Sequence, residues 1–136
     1  MKPFALLAVT CGLLLAVIPM VAHHSFAAEY DGNKHITLKG TVTKMDWINP
    51  HSWLHIDAPG PDGKVVNWAC ETAPPNILYR NGWRRSSLKE GDQVTVEGFL
   101  AKDGSHTVNA SSIVTAEGRR MFAGSSGDSA PDAKQK

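Results

Sequence analysis

The chain has 136 residues, a length that suits one ordinary domain behind a short leader. Its formal net charge is only +1, which argues against the strongly basic surface that nucleic-acid binding requires. It contains two cysteines, Cys11 and Cys70, and Cys11 lies in the apolar leader. If the leader is removed, no internal disulfide can form, so the domain must be stabilised by its apolar core.

The first 22 residues have the pattern of a cleaved secretory signal peptide. Met1-Lys2 provides a short positive start, and residues 4–17 are almost entirely apolar. This run is short for a membrane span, so we expect no stable span after cleavage. Cleavage after Ala22 would start the mature chain at His23 and make it periplasmic or secreted. Residues 25–27 form a competing cleavage site, and an uncleaved anchor is a further alternative.

The mature chain is predicted to have an arm, a body and a tail. Residues 23–35 are interpreted as an extended N-terminal arm, residues 36–123 as the domain, and residues 124–136 as a disordered tail. From residue 36 apolar and polar residues alternate, which predicts a half-buried strand. After Val42 the apolar phase moves by one residue, which predicts a β-bulge.

Four further strands and a helix follow. Strands are predicted over residues 52–56, 64–71, 93–100 and 107–115, and Cys70 is expected to be a small buried side chain. A short helix is predicted over residues 77–81, with Asn76 as its N-cap and Gly82 as its left-handed stop. Three strands, a helix and two strands predict an all-β, OB-fold-like five-stranded barrel (β-β-β-α-β-β). An antiparallel β-sandwich is the alternative.

Several strings of residues resemble a family of small exported bacterial proteins that is known only as a domain of unknown function. The strings are His23-His24-Ser25-Phe26-Ala27-Ala28-Glu29-Tyr30-Asp31, Gly40-Thr41-Val42-Thr43, Asn49-Pro50-His51, Gly82-Trp83, Ser87-Leu88-Lys89-Glu90-Gly91-Asp92 and Arg119-Arg120-Met121-Phe122-Ala123-Gly124. The resemblance covers nearly all of the mature chain. It implies a leader that ends in Ala directly before the His-His pair, and it implies no activity.

The histidines are the candidate metal ligands. A terminal histidine such as His23 can chelate copper through its α-amine and Nδ1, and a distant imidazole can complete a three-nitrogen site. His24 offers a second route through its imidazole and the backbone amide. The alternative is a mobile arm with two solvated histidines.

The distant imidazole is expected to come from His51. His51 and His55 lie about 13 Å apart along an extended strand, so they cannot bind one ion together. His51 stands at the Asn49-Pro50 corner and can swing more easily than His55. The alternative is that His51 is an ordinary strand-end histidine bonded to the backbone.

Three residues are candidates for a ligand-binding face: Trp47, Trp53 and His55. OB-fold proteins bind oligosaccharides and oligonucleotides on such surfaces. Tryptophans in strands also serve in core or rim packing, which is the alternative for both of them.

The sequence contains no common catalytic motif, such as a Gly-x-Ser-x-Gly elbow, a phosphate loop, His-Glu-x-x-His or CxxC. Enzyme activity would need a bound metal with an open coordination position. We therefore expect an exported binding module that holds copper or another late transition metal at His23, His24 and His51. The competing hypothesis is a metal-free module that binds a small ligand, a glycan or a protein partner on its tryptophan-bearing face.

Overall fold

The computed structural model describes residues 26–124, which form six strands and two short helices. In chain order the elements are α1 (Phe26–Glu29), β1 (Tyr30–Asp46), β2 (Trp53–Pro59), β3 (Val65–Glu71), α2 (Pro75–Arg80), β4 (Gln93–Ala101), β5 (Thr107–Thr115) and β6 (Arg120–Phe122). Neither of these helices is long and apolar enough to cross a membrane. The predicted signal peptide, the residues His23 and His24, and residues 125–136 of the predicted tail lie outside the described residues.

The strands form a closed ring of hydrogen-bonded pairs. They run in the order β3-β2-β1-β4-β5-β6, and an additional pairing joins β3 to β5. The β3–β5 pair is parallel, and the other pairs are antiparallel. The ring β1-β2-β3-β5-β4 has the closure and the element order of an OB-like fold, so the all-β prediction is confirmed. The short strand β6, which the sequence analysis did not predict, pairs with β5.

Strand β1 contacts two neighbours because it is long and bent. It pairs with β4 from Tyr30 to Thr41 and with β2 from Thr41 to Asp46. The register with β2 shifts between Val42 and Lys44, which confirms the predicted bulge. The strand also begins earlier than residue 36, because the last part of the predicted arm, from Tyr30 to His35, already pairs with β4.

The core lies inside the ring and is built from the inward-facing residues of the strands. Alternate residues on each strand face inward, as the apolar periodicity predicted. Cys70 is fully buried, and burial raises the pKa of its thiol to about 12, so its predicted role as a core side chain is confirmed. The larger core residues are Leu38, Val42, Leu54, Ile56, Trp68, Leu78, Trp83, Val94, Val96, Val108 and Ile113.

Helix α2 packs on this core through the buried side chain of Leu78. The prediction of Asn76 as the N-cap is wrong: the N-cap position is Pro74, which makes no side-chain capping bond. Pro75 occupies the first turn, where its fixed φ suits a helix and its missing N–H needs no partner. Gly82 has φ +88°, which confirms the predicted left-handed stop.

Strands β4 and β5 approach closely at Gly98. A Cβ atom at this position would lie 2.1 Å from the backbone oxygen of Asn109, which is far inside van der Waals contact. Only glycine therefore fits here without moving one strand away from the other.

We expect Gly98→Ala to lower the free energy of unfolding by about 1–3 kcal/mol, because the strand backbones must shift to admit the new methyl group. Urea denaturation followed by circular dichroism measures this change. Gly32→Ala is the matched control, since its Cβ would make an ordinary contact of 3.6 Å with the Phe26 ring. Equal stability of the two variants would contradict the close approach.

Strand β6 is tied to β4 by a charged pair. The Arg120 guanidinium donates to both carboxylate oxygens of Glu97, at 2.7 and 3.2 Å, and the Ser112 hydroxyl donates to the same carboxylate at 2.9 Å. These bonds lower the pKa of Glu97 from 4.5 to about 2, and Arg120 has a larger effect than Ser112.

This lowered pKa makes the contribution of Glu97 to stability depend on pH. The contribution is complete above pH 4.5 and is lost as pH falls through about 2, because the unfolded state then binds the proton more readily. We expect the stability difference between wild type and Glu97→Gln to shrink over this interval in acid titrations of unfolding. A difference that stays constant from pH 6 to about pH 2 would contradict the assignment.

Candidate functional site

The corner between β1 and β2 is bonded to the segment that follows β3. The Ser52 N–H donates to the oxygen of Ala73 at 3.3 Å, and the oxygen of Ser52 accepts from the Thr72 N–H at 2.9 Å. The Thr72 hydroxyl donates to the same oxygen at 3.0 Å, and both Ser52 and Thr72 are fully buried. The Asn49–Pro50 peptide bond within this corner is cis. The hydrogen bonds of Ser52 hold the corner against the segment that follows β3, directly beside His51.

One ring nitrogen of His51, Nδ1, faces two hydrogen-bond acceptors. Its Nδ1 lies 3.3 Å from the backbone oxygen of Thr72 and 3.4 Å from Oε1 of Glu71. Both neighbours are acceptors, so the neutral imidazole carries its proton on Nδ1 and its lone pair on Nε2. The side chain is 34% exposed. These contacts hold the His51 ring in place, and its greater freedom relative to His55 stays a prediction.

Glu71 is a buried carboxylate that contacts two other functional groups. It ends β3, and only 9% of its side chain is exposed. Its Oε1 faces His51, and its Oε2 accepts a hydrogen bond from the Tyr30 hydroxyl. A buried carboxylate needs such partners, because leaving it without hydrogen bonds in the protein interior is costly. Tyr30, Glu71 and His51 together form what we call the Tyr30–Glu71–His51 cluster.

Tyr30 brings the N-terminal segment to this cluster. It is the first residue of β1, pairs with Ala101 of β4 and is 3% exposed. Burial is the main cause that raises the pKa of Tyr30, and the hydrogen bond to Glu71 raises it further. The hydroxyl therefore remains a donor throughout the neutral range. The ring of Phe26 stacks on Tyr30 at 5.7 Å and meets Phe99 edge-on at 5.4 Å.

The sequence analysis assigned no functional role to Tyr30 or Glu71. They are 41 positions apart, and only the folded ring brings them together. No signal in the sequence indicated that Glu71 is buried, because alternation along β3 places it on the face of Asn67 and Ala69, opposite Trp68 and Cys70.

His55 belongs to a separate surface group. Its Nε2 lies 3.2 Å from Oδ2 of Asp46, whose Oδ1 is paired with Lys44 Nζ at 2.9 Å. The hydrogen bond from Lys44 is the main cause that lowers the pKa of Asp46, with a smaller contribution from His55. His51 and His55 therefore have different acidic partners, in keeping with the expectation that they do not act as one pair.

The two candidate tryptophans lie in different surroundings. Trp47 stacks on Tyr79 at 5.2 Å, meets Trp83 edge-on at 6.1 Å and lies 5.6 Å from the Arg85 guanidinium. It packs against the edge of the core. Trp53 starts β2, where it is half-buried and opposite Glu71 of β3, with the same strand parity as His55.

The part of the chain that the structure describes contains no group of three or more His, Cys, Asp or Glu side chains arranged to hold a metal ion. Within that part, His51 offers one nitrogen toward the predicted copper site. The other predicted ligands, His23 and His24, lie outside the described residues.

These features define a small all-β protein with an OB-like ring of strands and a buried carboxylate that links its N-terminal segment to a histidine. The chain belongs to DUF6152, a family of unknown function, whose family model matches residues 12–110. The predicted membership of an uncharacterised family is thereby confirmed. No curated protein and no solved structure matches the chain.

Proposed function

We propose that the protein is an exported binding module that holds copper, or another late transition metal, through His23 at the mature N-terminus, with His24 and His51 in support. The observation that carries the proposal is the environment of the His51 ring. Its Nδ1 lies 3.3 Å from a backbone oxygen and faces a buried carboxylate, so the lone pair of the neutral ring is on Nε2, where a metal would bind.

This environment is typical of histidines that bind metals. A metal-binding imidazole usually donates its second N–H to a carboxylate or a backbone carbonyl, which sets the tautomer and the direction of the ring. His51 has both kinds of acceptor, from Glu71 and Thr72. An ordinary strand-end histidine would need only the backbone oxygen, so the additional carboxylate favours a ligand role.

The position of the N-terminal segment also supports the proposal. Phe26 lies on Tyr30, and Tyr30 is hydrogen-bonded to the carboxylate that faces His51. His23 stands three residues before Phe26 in the chain. Three residues span at most about 10 Å when extended, so the amine of a mature chain that begins at His23 is tethered within that distance of Phe26.

The proposed ligands suit copper chemistry. An α-amine and an imidazole of His23 form a chelate, and the His51 imidazole adds a third nitrogen. Nitrogen ligands of this kind bind Cu(II) more tightly than other divalent first-row metals. The proposed role is binding, because no residue of the cluster has a catalytic geometry that we can assign.

We expect His51→Ala to weaken Cu(II) binding by about tenfold or more, because the distant nitrogen ligand is lost. The protein should be exported with its own leader, and mass spectrometry should establish that the mature chain begins at His23. Isothermal titration then measures the affinity, and electron paramagnetic resonance reports the number of coordinated nitrogens.

His55→Ala is the matched control, since His55 is also a half-exposed histidine beside a carboxylate. It should leave the copper affinity unchanged. A mature chain that begins after residue 23, or equal affinities for His51→Ala and wild type, would contradict the proposal.

A second candidate function is the binding of a glycan, a small ligand or a protein partner without a metal. The exposed apolar groups beside Trp47 favour it, because Ile48 is 52% exposed and the stacked Tyr79 is 37% exposed. Trp53 and His55, which were predicted to share this face, lie on β2 in surroundings different from those of Trp47. Aromatic faces exposed in this way are common at ligand and partner sites.

For this second function, we expect Tyr79→Ser to abolish a change in tryptophan fluorescence caused by the ligand, because Tyr79 stacks on Trp47. A panel of neutral and acidic oligosaccharides is a suitable set of probes. Val65→Ser is the control, since Val65 is equally apolar and exposed but lies at the start of β3. No fluorescence response of wild type to any probe would count against glycan binding.

A further inference from the structure

We infer that Tyr30 and Glu71 are positioning residues that dock the N-terminal segment beside His51, so that docking of the segment and metal binding are coupled. This inference rests on the proposed function, because it concerns how the same site is assembled. It assigns a role to two residues that do not themselves bind the metal.

The two oxygens of the Glu71 carboxylate have different partners. Oε2 accepts from the Tyr30 hydroxyl, and Oε1 faces Nδ1 of His51 at 3.4 Å. The carboxylate thus links the beginning of β1 to the corner before β2. If Tyr30 leaves, Glu71 loses its buried donor and becomes free to turn away from His51.

Glu71 selects the tautomer of the His51 ring. A carboxylate only accepts hydrogen bonds, so it favours a proton on Nδ1 and leaves the lone pair on Nε2. An amide at position 71 could still accept from Tyr30, but its N–H group would then face the Nδ1 proton. The ring would have to turn or change its tautomer, and Nε2 would no longer be held ready for a metal.

Tyr30 belongs to a segment that makes several hydrogen bonds and ring contacts with the end of β4 and the residue after it. The Lys102 N–H donates to the oxygen of Glu29 at 2.8 Å, and its ammonium group donates to the oxygen of Ala27 at 2.5 Å. Phe26 meets Phe99 edge-on. The hydrogen bond from Tyr30 to Glu71 is buried, whereas the contacts of the segment with Lys102 and Phe99 lie closer to solvent. The docking of the segment therefore depends most on the Tyr30–Glu71 bond.

The coupling follows from linkage. A docked segment raises the effective concentration of the N-terminal ligands at His51, which increases the apparent affinity for the metal. By the reciprocity of linked equilibria, a metal bound to both the terminus and His51 must stabilise the docked segment by the same factor.

The first part of the test uses the mature protein without metal. Amide hydrogen exchange of the segment 26–34 should be about tenfold faster in Tyr30→Phe than in wild type, because the buried tie is lost. Exchange in the middle of β4 and β5 should remain as in wild type. Tyr79→Phe is the matched control, since Tyr79 is the other tyrosine of the chain and is exposed.

The second part measures Cu(II) binding by the same proteins. Tyr30→Phe should weaken the affinity, at most by the factor by which copper slows exchange of the segment in wild type, because the metal must then restore the lost docking. Glu71→Gln should keep the segment docked but weaken copper binding and change the nitrogen signals in electron paramagnetic resonance. Tyr79→Phe should match wild type in both measurements.

The outcomes separate this inference from the proposed function. If His51→Ala weakens copper binding and Tyr30→Phe does not, the metal site stands and the coupling is wrong. Unchanged exchange of the segment in Tyr30→Phe would overturn the docking role, whatever the metal does. If His51→Ala leaves copper binding unchanged, the proposed function fails, and with it the role of the cluster in assembling a metal site.

Discussion

The parallel pairing of β3 with β5 is the constraint on which the rest of the structure depends. It joins Ala69, Cys70 and Glu71 to Thr107, Val108 and Asn109. This pairing turns a sheet with open edges into a ring, so the alternate residues of five strands face one common core. It also sets Glu71 beside Asn109 of β5, where its carboxylate accepts a hydrogen bond from Tyr30 at the beginning of β1. The closure of the ring therefore positions both the core and the candidate site.

The buried carboxylate of Glu71 has a cost that its partners offset. Removing a charged group from water is unfavourable unless hydrogen bonds replace the lost hydration. Glu71 meets this need through the hydroxyl of Tyr30 and the facing imidazole of His51. An apolar residue at this position would bury without such partners, so stability alone does not explain a glutamate here. The role that we propose for Glu71, to orient His51 and dock the N-terminal segment, would account for it.

Much of the fold could be predicted from the sequence because its signals are local. The alternation of apolar residues predicted β1 to β5, the phase change after Val42 predicted the bulge, and Gly82 marked the end of α2. The errors came from features with weak local signals. Strand β6 is only three residues long, and the N-cap of α2 depends on a proline at the first turn instead of a polar side chain. Of the candidate site, the sequence analysis identified His51 but neither Glu71 nor Tyr30.

What the sequence determined by itself is the class of fold, the inward face of each strand and the residue types available for chemistry. These depend on periodicity and turn residues, which act over a few positions along the chain. Only the tertiary structure decided which side chains meet. Tyr30 and Glu71 lie on strands that are not adjacent in the sheet order, and His51 reaches the carboxylate through a corner bonded to the segment after β3. Such contacts depend on ring closure, which brings residues far apart in sequence into one buried cluster.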